Sequence, residues 1–94
     1  MSKLTIDRVR ELVRSLDYFV SAHAAEELED DKLTILDLES ILLTGKIIER
    51  QRDRNTGEVK AVVLGHTIEG IEAESVVKLG SNGALFVITV YLVQ

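Results

Sequence analysis

The apolar residues of this chain change period at Gly45, and nothing else in the sequence constrains the fold as strongly. Before it, Ile6, Val9, Leu12, Val13 and Leu16, and later Ile35, Leu38, Ile41 and Leu42, recur at the spacing that lays a stripe along one side of a helix. After it, runs rich in strand formers are separated by Asn55-Thr56-Gly57, Glu69-Gly70 and Ser81-Asn82-Gly83, which are turn sequences. Helices first and hairpin-linked strands second predict an α+β domain. Two to three N-terminal helices should pack on a four-stranded antiparallel meander covering about 46–53, 58–66, 72–79 and 84–93.

Local signals place the helices. Thr5 caps the first, with Asp7 near its positive end. The run Tyr18-Phe19-Val20 is too short for a helix and reads as an extended connector to Ser21, the cap of a second, short helix over about Ala22 to Glu29. That helix ends on Glu29-Asp30-Asp31, acidic groups at the negative end of the dipole, so its last turn is expected to fray or to attract something basic. Thr34 followed three residues later by Asp37 approximates a capping box for a third helix through Leu43, which Gly45 stops.

Ninety-four residues without a proline, repeat or linker make one domain, which buries roughly two-thirds of the surface of its unfolded chain. The absence of cysteine excludes a disulfide framework, a thiolate zinc site and a nucleophilic thiol. No apolar run approaches the length that spans a bilayer, so we read a soluble, cytoplasmic chain with no membrane partner. The net charge of −5 argues against a surface that binds nucleic acid as a whole. The acidity lies in residues 23–45, however, whereas Lys46, Arg50, Arg52, Arg54 and Lys60 form one local basic patch.

The last strand carries apolar residues on both parities. Phe86, Ile88, Val90 and Leu92 fall on one, and Leu85, Val87, Tyr91 and Val93 on the other. Three helices cover one face of a sheet, so either the second face meets a partner, a second copy or a ligand cleft, or the strand is central and the sheet curls over its own back.

Few residues offer chemistry. His23 opens the second helix with Glu27 one turn on, a pair in which the carboxylate would orient the imidazole as a general base; the alternative is a histidine that only packs the helix start. A metal site from His23, Glu26 or Glu27, and His66 lacks a convincing third ligand, and neither a metal nor a cofactor is expected. The alternation of Arg50, Arg52 and Arg54 predicts three guanidiniums on one face of the first strand after Gly45, where they would hold a phosphodiester or simply blunt a solvated edge. Tyr91 offers a phenol at a strand end, as a donor in a cleft or as core with a wet tip. No glycine-rich phosphate loop and no Gly-x-Ser-x-Gly occurs, which disfavours an NTPase or a serine hydrolase.

Four landmarks in order, Phe19-Val20-Ser21-Ala22-His23-Ala24, Gly45-Lys46-Ile47-Ile48-Glu49, Val62-Val63-Leu64-Gly65-His66-Thr67 and Val87-Ile88-Thr89-Val90-Tyr91, resemble the bacterial domain-of-unknown-function family 4258. That family is similar to the RelE/BrnT-like group of small toxins. The resemblance implies a RelE-like fold and the toxin half of a toxin–antitoxin pair, with metal-independent RNA cleavage and a zinc-ribbon, MqsA-like antitoxin as partner. The resemblance carries over His23 and Tyr91; joined to the basic patch, a ribonuclease of that type would use His23, Arg52 and Tyr91 in catalysis and Arg50, Arg54, Lys60 and His66 to bind RNA. Glu27 and Asp31 stand where many members carry basic residues. The competing expectation is a catalytically inactive interaction module of the same fold that binds a partner protein or itself, as a homodimer through the sheet.

Overall fold

Each helix begins where a hydroxyl caps it. The computed structural model describes residues 4–93. In it the side chains of Thr5, Ser21 and Thr34 accept from the backbone amides of Arg8, Ala24 and Asp37 and open α1 (Ile6–Arg14), α2 (Ala22–Asp30) and α3 (Ile35–Thr44). At Thr34 both halves of the capping box are formed. Val9, Leu12 and Val13 of α1, Ala24 and Leu28 of α2, and Leu38, Ile41 and Leu42 of α3 are buried in one core. Each fully buried leucine or isoleucine contributes roughly 1.5–3 kcal/mol.

Two helix ends differ from the sequence expectation. The chain leaves α1 through Leu16, which takes a left-handed backbone (φ 58°) and is 72% exposed instead of joining the apolar stripe. The amide of Asp17 then bonds the carbonyl of Leu12, and this tight closure turns the chain into its next strand. Lys32, also left-handed, closes α2 in the same way, with the Leu33 amide on the Leu28 carbonyl and Leu33 packed on the core. The acidic end of α2 is therefore tied down.

The sheet has five strands and is mixed. Tyr18–Val20, expected to be a connector, forms β1 and pairs parallel with the last strand, Tyr18 opposite Leu85 and Val20 opposite Val87. With β2 (Lys46–Arg52), β3 (Val59–His66), β4 (Glu72–Leu79) and β5 (Leu85–Leu92), the order is β1-β5-β4-β3-β2, antiparallel except at β1. The four expected strands are present, and the fifth arises because β5 has an edge that three extended residues can satisfy. Tyr18 seals that junction: it packs on the core while its hydroxyl donates to Glu39 of α3 at 2.5 Å.

The helices cover one face only. Ala61, Val63, Ala73, Val77, Leu85, Val87 and Val90 line it. A register shift opposite Val76–Val77 leaves Ile88 as an extra residue on β5, so Val87 and Val90, of opposite parity in sequence, face the same core. The central-strand alternative is thus met in part, since β5 lies between β1 and β4.

Two of the sequence landmarks have a steric reason. A Cβ on Gly65 would lie 2.0 Å from the carbonyl oxygen of Ile41, and one on Gly45 would lie 2.3 Å from Cγ1 of Val63. The backbones of α3 and β3 therefore approach as only glycine allows. Ser40 donates to the His66 carbonyl at 2.8 Å, and the His66 amide donates to Thr44 Oγ1 at 3.1 Å. Arg10 of α1 donates to the carbonyls of Leu43 and Gly45 at the end of α3. These contacts place every strand and helix against a single core and leave the opposite sheet face bare.

Candidate functional site

His23 projects from the first turn of α2, which leaves β1 and runs beside β5. Its Nε2 lies 3.5 Å from Oε2 of Glu27; the imidazole is 68% exposed, the carboxylate 23%. The other oxygen, Oε1, accepts from the Val90 amide at 2.9 Å and from the Thr89 hydroxyl. β1 has ended by this point, so Glu27 acts as the missing edge partner of β5, and Ser21 adds a bond from its hydroxyl to the Ile88 carbonyl at 2.8 Å. Glu27 thus lies beside His23, and the carboxylate is itself held by the sheet. Glu26, Glu29, Asp30 and Asp31 on and after the same helix make its surroundings negative.

Tyr91 is on the bare face of β5, directly across from Glu74 of β4. Its hydroxyl donates to Glu74 Oε1 at 2.6 Å, and this bond, followed by partial burial and the nearby charges of Glu74, Glu49 and Glu27, pushes the phenol up to about 12. Tyr91 and the His23–Glu27 pair thus share one acidic neighbourhood at the β5 edge. A phenol so held is a firm hydrogen-bond donor and a poor source of phenolate.

The arginines lie elsewhere. β5 and β2 are separated by β4 and β3, three strand spacings or roughly 14 Å. Arg50 points to the helix side and donates to the Leu4 carbonyl; Arg52, two residues on, reaches the Gly57 carbonyl at 3.4 Å. Arg54 is outside β2, which ends at Arg52 because the Asp53 carboxylate accepts from the amides of Asn55 and Thr56 and bends the chain into the turn. The expectation of three arginines on one strand face is corrected to two, and neither joins His23. Lys60 is on the bare face of β3. His66 ends β3 beside a shallow cleft of about 310 Å³ that Arg10, Lys46, Leu64 and Glu72 also line. Among the described residues no group of three or more histidine, aspartate or glutamate side chains is gathered to hold a metal ion, and His23 and His66 are on separate elements.

The surface that sequence reasoning did not assemble is the bare sheet face itself. By register it holds Lys60 and Leu64 of β3 on either side of Val62, which its neighbours already bury (6% exposed), Glu74, Val76 and Lys78 of β4, Phe86 and Tyr91 of β5, and Phe19 of β1 opposite Phe86. Phe19 is 56% exposed, and Lys78 stands with its ammonium 5.6 Å from the Phe86 ring centre and 2.9 Å from Glu58. The signal was the alternation within 60–64 and 74–78, whose outward members become neighbours only when register is known.

Residues 20–92 match the family model described as a domain of unknown function, DUF4258. No curated protein and no solved structure gives a significant match. No helix among the described residues is long and apolar enough to cross a membrane.

Proposed function

The chain belongs to the DUF4258 family, and from that premise we propose that it is a small interaction module whose binding surface is the sheet face left bare by the helices. A single observation carries the reading: Phe19, Phe86, Val76 and Leu64 share one uncovered face with Lys60, Lys78, Glu49 and Glu74, a mixture of apolar area and both charge signs that suits a protein partner. An RNA surface needs cations where the chemistry occurs, and His23, the histidine with a carboxylate beside it, sits among acids.

The second reading is a metal-independent ribonuclease of the RelE-like toxin type, with an antitoxin as partner. The fixed Glu27 carboxylate beside an exposed His23 favours it, since that pair is built like an oriented general base. In this reading RNA must bring its phosphate to His23 without help from Arg50 or Arg52.

Expression in a bacterial host separates the two. Growth that is the same with the wild-type chain and with His23→Ala supports the interaction module. Growth inhibition by the wild type that a folded His23→Ala variant abolishes overturns it in favour of the ribonuclease.

A further inference from the structure

The bare face is ordered in rows. β4 is the middle strand of five, and along it Glu74, Val76 and Lys78 point outward in turn. Register adds neighbours to each: Lys60 and Phe86 beside Lys78, Val62 and Thr89 beside Val76, Leu64 and Tyr91 beside Glu74. One end of the face is basic and aromatic, the middle is small and largely apolar, and the other end is acidic with a phenol.

We propose that this face pairs with the same face of a second copy of the chain, about a twofold axis that crosses the strands at Val76. The proposal deepens the interaction-module reading and rests on it. Such an axis lays β4 antiparallel on its mate, so Lys78 meets Glu74 of the second copy twice over, Val76 meets Val76, Phe86 meets Tyr91, and the stem of Lys60 lies over Leu64. An axis along the strands would instead set Lys78 on Lys78 and Glu74 on Glu74, so the charges select one orientation. Glu49, in the middle row, is on the edge strand β2, where twisted faces packed on each other diverge.

The groups involved have capacity for these contacts. Lys78 already pairs with Glu58 at 2.9 Å, and an ammonium has three donors; Glu74 accepts one bond from Tyr91, and a carboxylate has several lone pairs. With β2 diverging, the three strands β3, β4 and β5, of eight residues each, present roughly 380 Å² per copy. Two copies give roughly 750 Å², below the roughly 1,000 Å² that a stable specific interface needs. The dimer is therefore weak and reversible, and loss of the charge pairs is decisive for it.

Sedimentation velocity over a range of protein concentrations tests this with four samples: wild type, Glu74→Lys, Lys78→Glu, and an equimolar mixture of the two variants. The wild type is expected to dimerise. Each variant sets like charges against each other at two symmetry-related places and weakens the dimer by at least about tenfold. In the mixture every facing pair is again opposite in sign, and dimers return, which also shows that both variants are folded. A wild type monomeric at all concentrations, variants that dimerise as well as the wild type, or a mixture that stays monomeric would each overturn the proposal. A monomeric wild type leaves the bare face to a different protein, whereas growth inhibition that depends on His23 removes the interaction-module reading itself.

Discussion

Glu27 accepts the amide proton of Val90 at 2.9 Å, so a helix side chain completes the edge of a strand that the three residues of β1 are too short to cover. The bond fixes α2 against the sheet and aims the second carboxylate oxygen at His23.

Replacing Glu27 separates these roles. Glu27→Ala leaves the part-buried Val90 amide without its acceptor and should cost about 1–3 kcal/mol in chemical denaturation. Glu27→Gln keeps an acceptor oxygen and should cost less than about 1 kcal/mol. His23→Ala removes an exposed side chain and should change stability by no more than about 0.5 kcal/mol. Equal losses for all three would mean that the Val90 bond does not hold the edge.

The close approach of α3 to β3 leaves less room for a Cβ at Gly65 than at any other glycine of the chain. Gly65→Ala puts a methyl 2.0 Å from a backbone oxygen in the core and should cost about 3 kcal/mol or more, or prevent folding. Gly57→Ala meets open space, and only its left-handed backbone (φ 75°) opposes it, so about 1–2 kcal/mol is expected. Thermal unfolding of the two variants ranks them; a Gly57 variant as damaged as the Gly65 one contradicts the steric account.

Both tyrosines should titrate late. Burial, then the bond and charge of Glu39, pushes Tyr18 up to about 12, and the Glu74 bond does the same for Tyr91. A folded-state value above the unfolded one means the neutral phenols stabilise the fold fully below pH 10, and that this contribution is lost as pH rises from there through about 12. Phenolate absorbance should therefore appear near pH 12 in the native protein, and near pH 10 in denaturant. Glu74→Gln should lower the midpoint of Tyr91 alone.

Asp37 holds the start of α3 and reaches beyond it. Its carboxylate accepts from the Thr34 amide and hydroxyl and from the Ile68 amide in the β3–β4 turn, and these bonds hold its pKa below the usual 3.8. A depressed value stabilises the fold above pH 3.8, and the contribution is lost as pH falls through the folded-state value. Asp37→Ala removes the acceptor of the Thr34 and Ile68 amides and should cost about 1–2 kcal/mol at neutral pH. The difference from wild type should shrink in acid, and a difference that is constant with pH would place the effect outside the carboxylate.

Much of the fold was legible because its causes are local. The hydroxyl caps at Thr5, Ser21 and Thr34, the stop at Gly45 and the turn at Asn55-Thr56-Gly57 act over three or four residues, and a linear reading finds them. The His23–Glu27 pair was legible for the same reason, since both ends lie on one helix turn. Leu16 was misplaced because the need to turn into β1 outweighs its place in the apolar stripe.

What the sequence by itself determined is the set of elements and their caps, because propensity, periodicity and capping are short-range and written in neighbouring residues. Only the tertiary structure decided the partners. Whether Tyr18–Val20 is a connector or a fifth strand depends on the free edge of β5, nearly seventy positions away. The facing of Val90 depends on a bulge at Ile88 that no alternation pattern records. The separation of His23 from Arg50 and Arg52, and the alignment of Glu74, Val76 and Lys78 with their neighbours on one bare face, follow from strand order, which is set by the burial of a shared core.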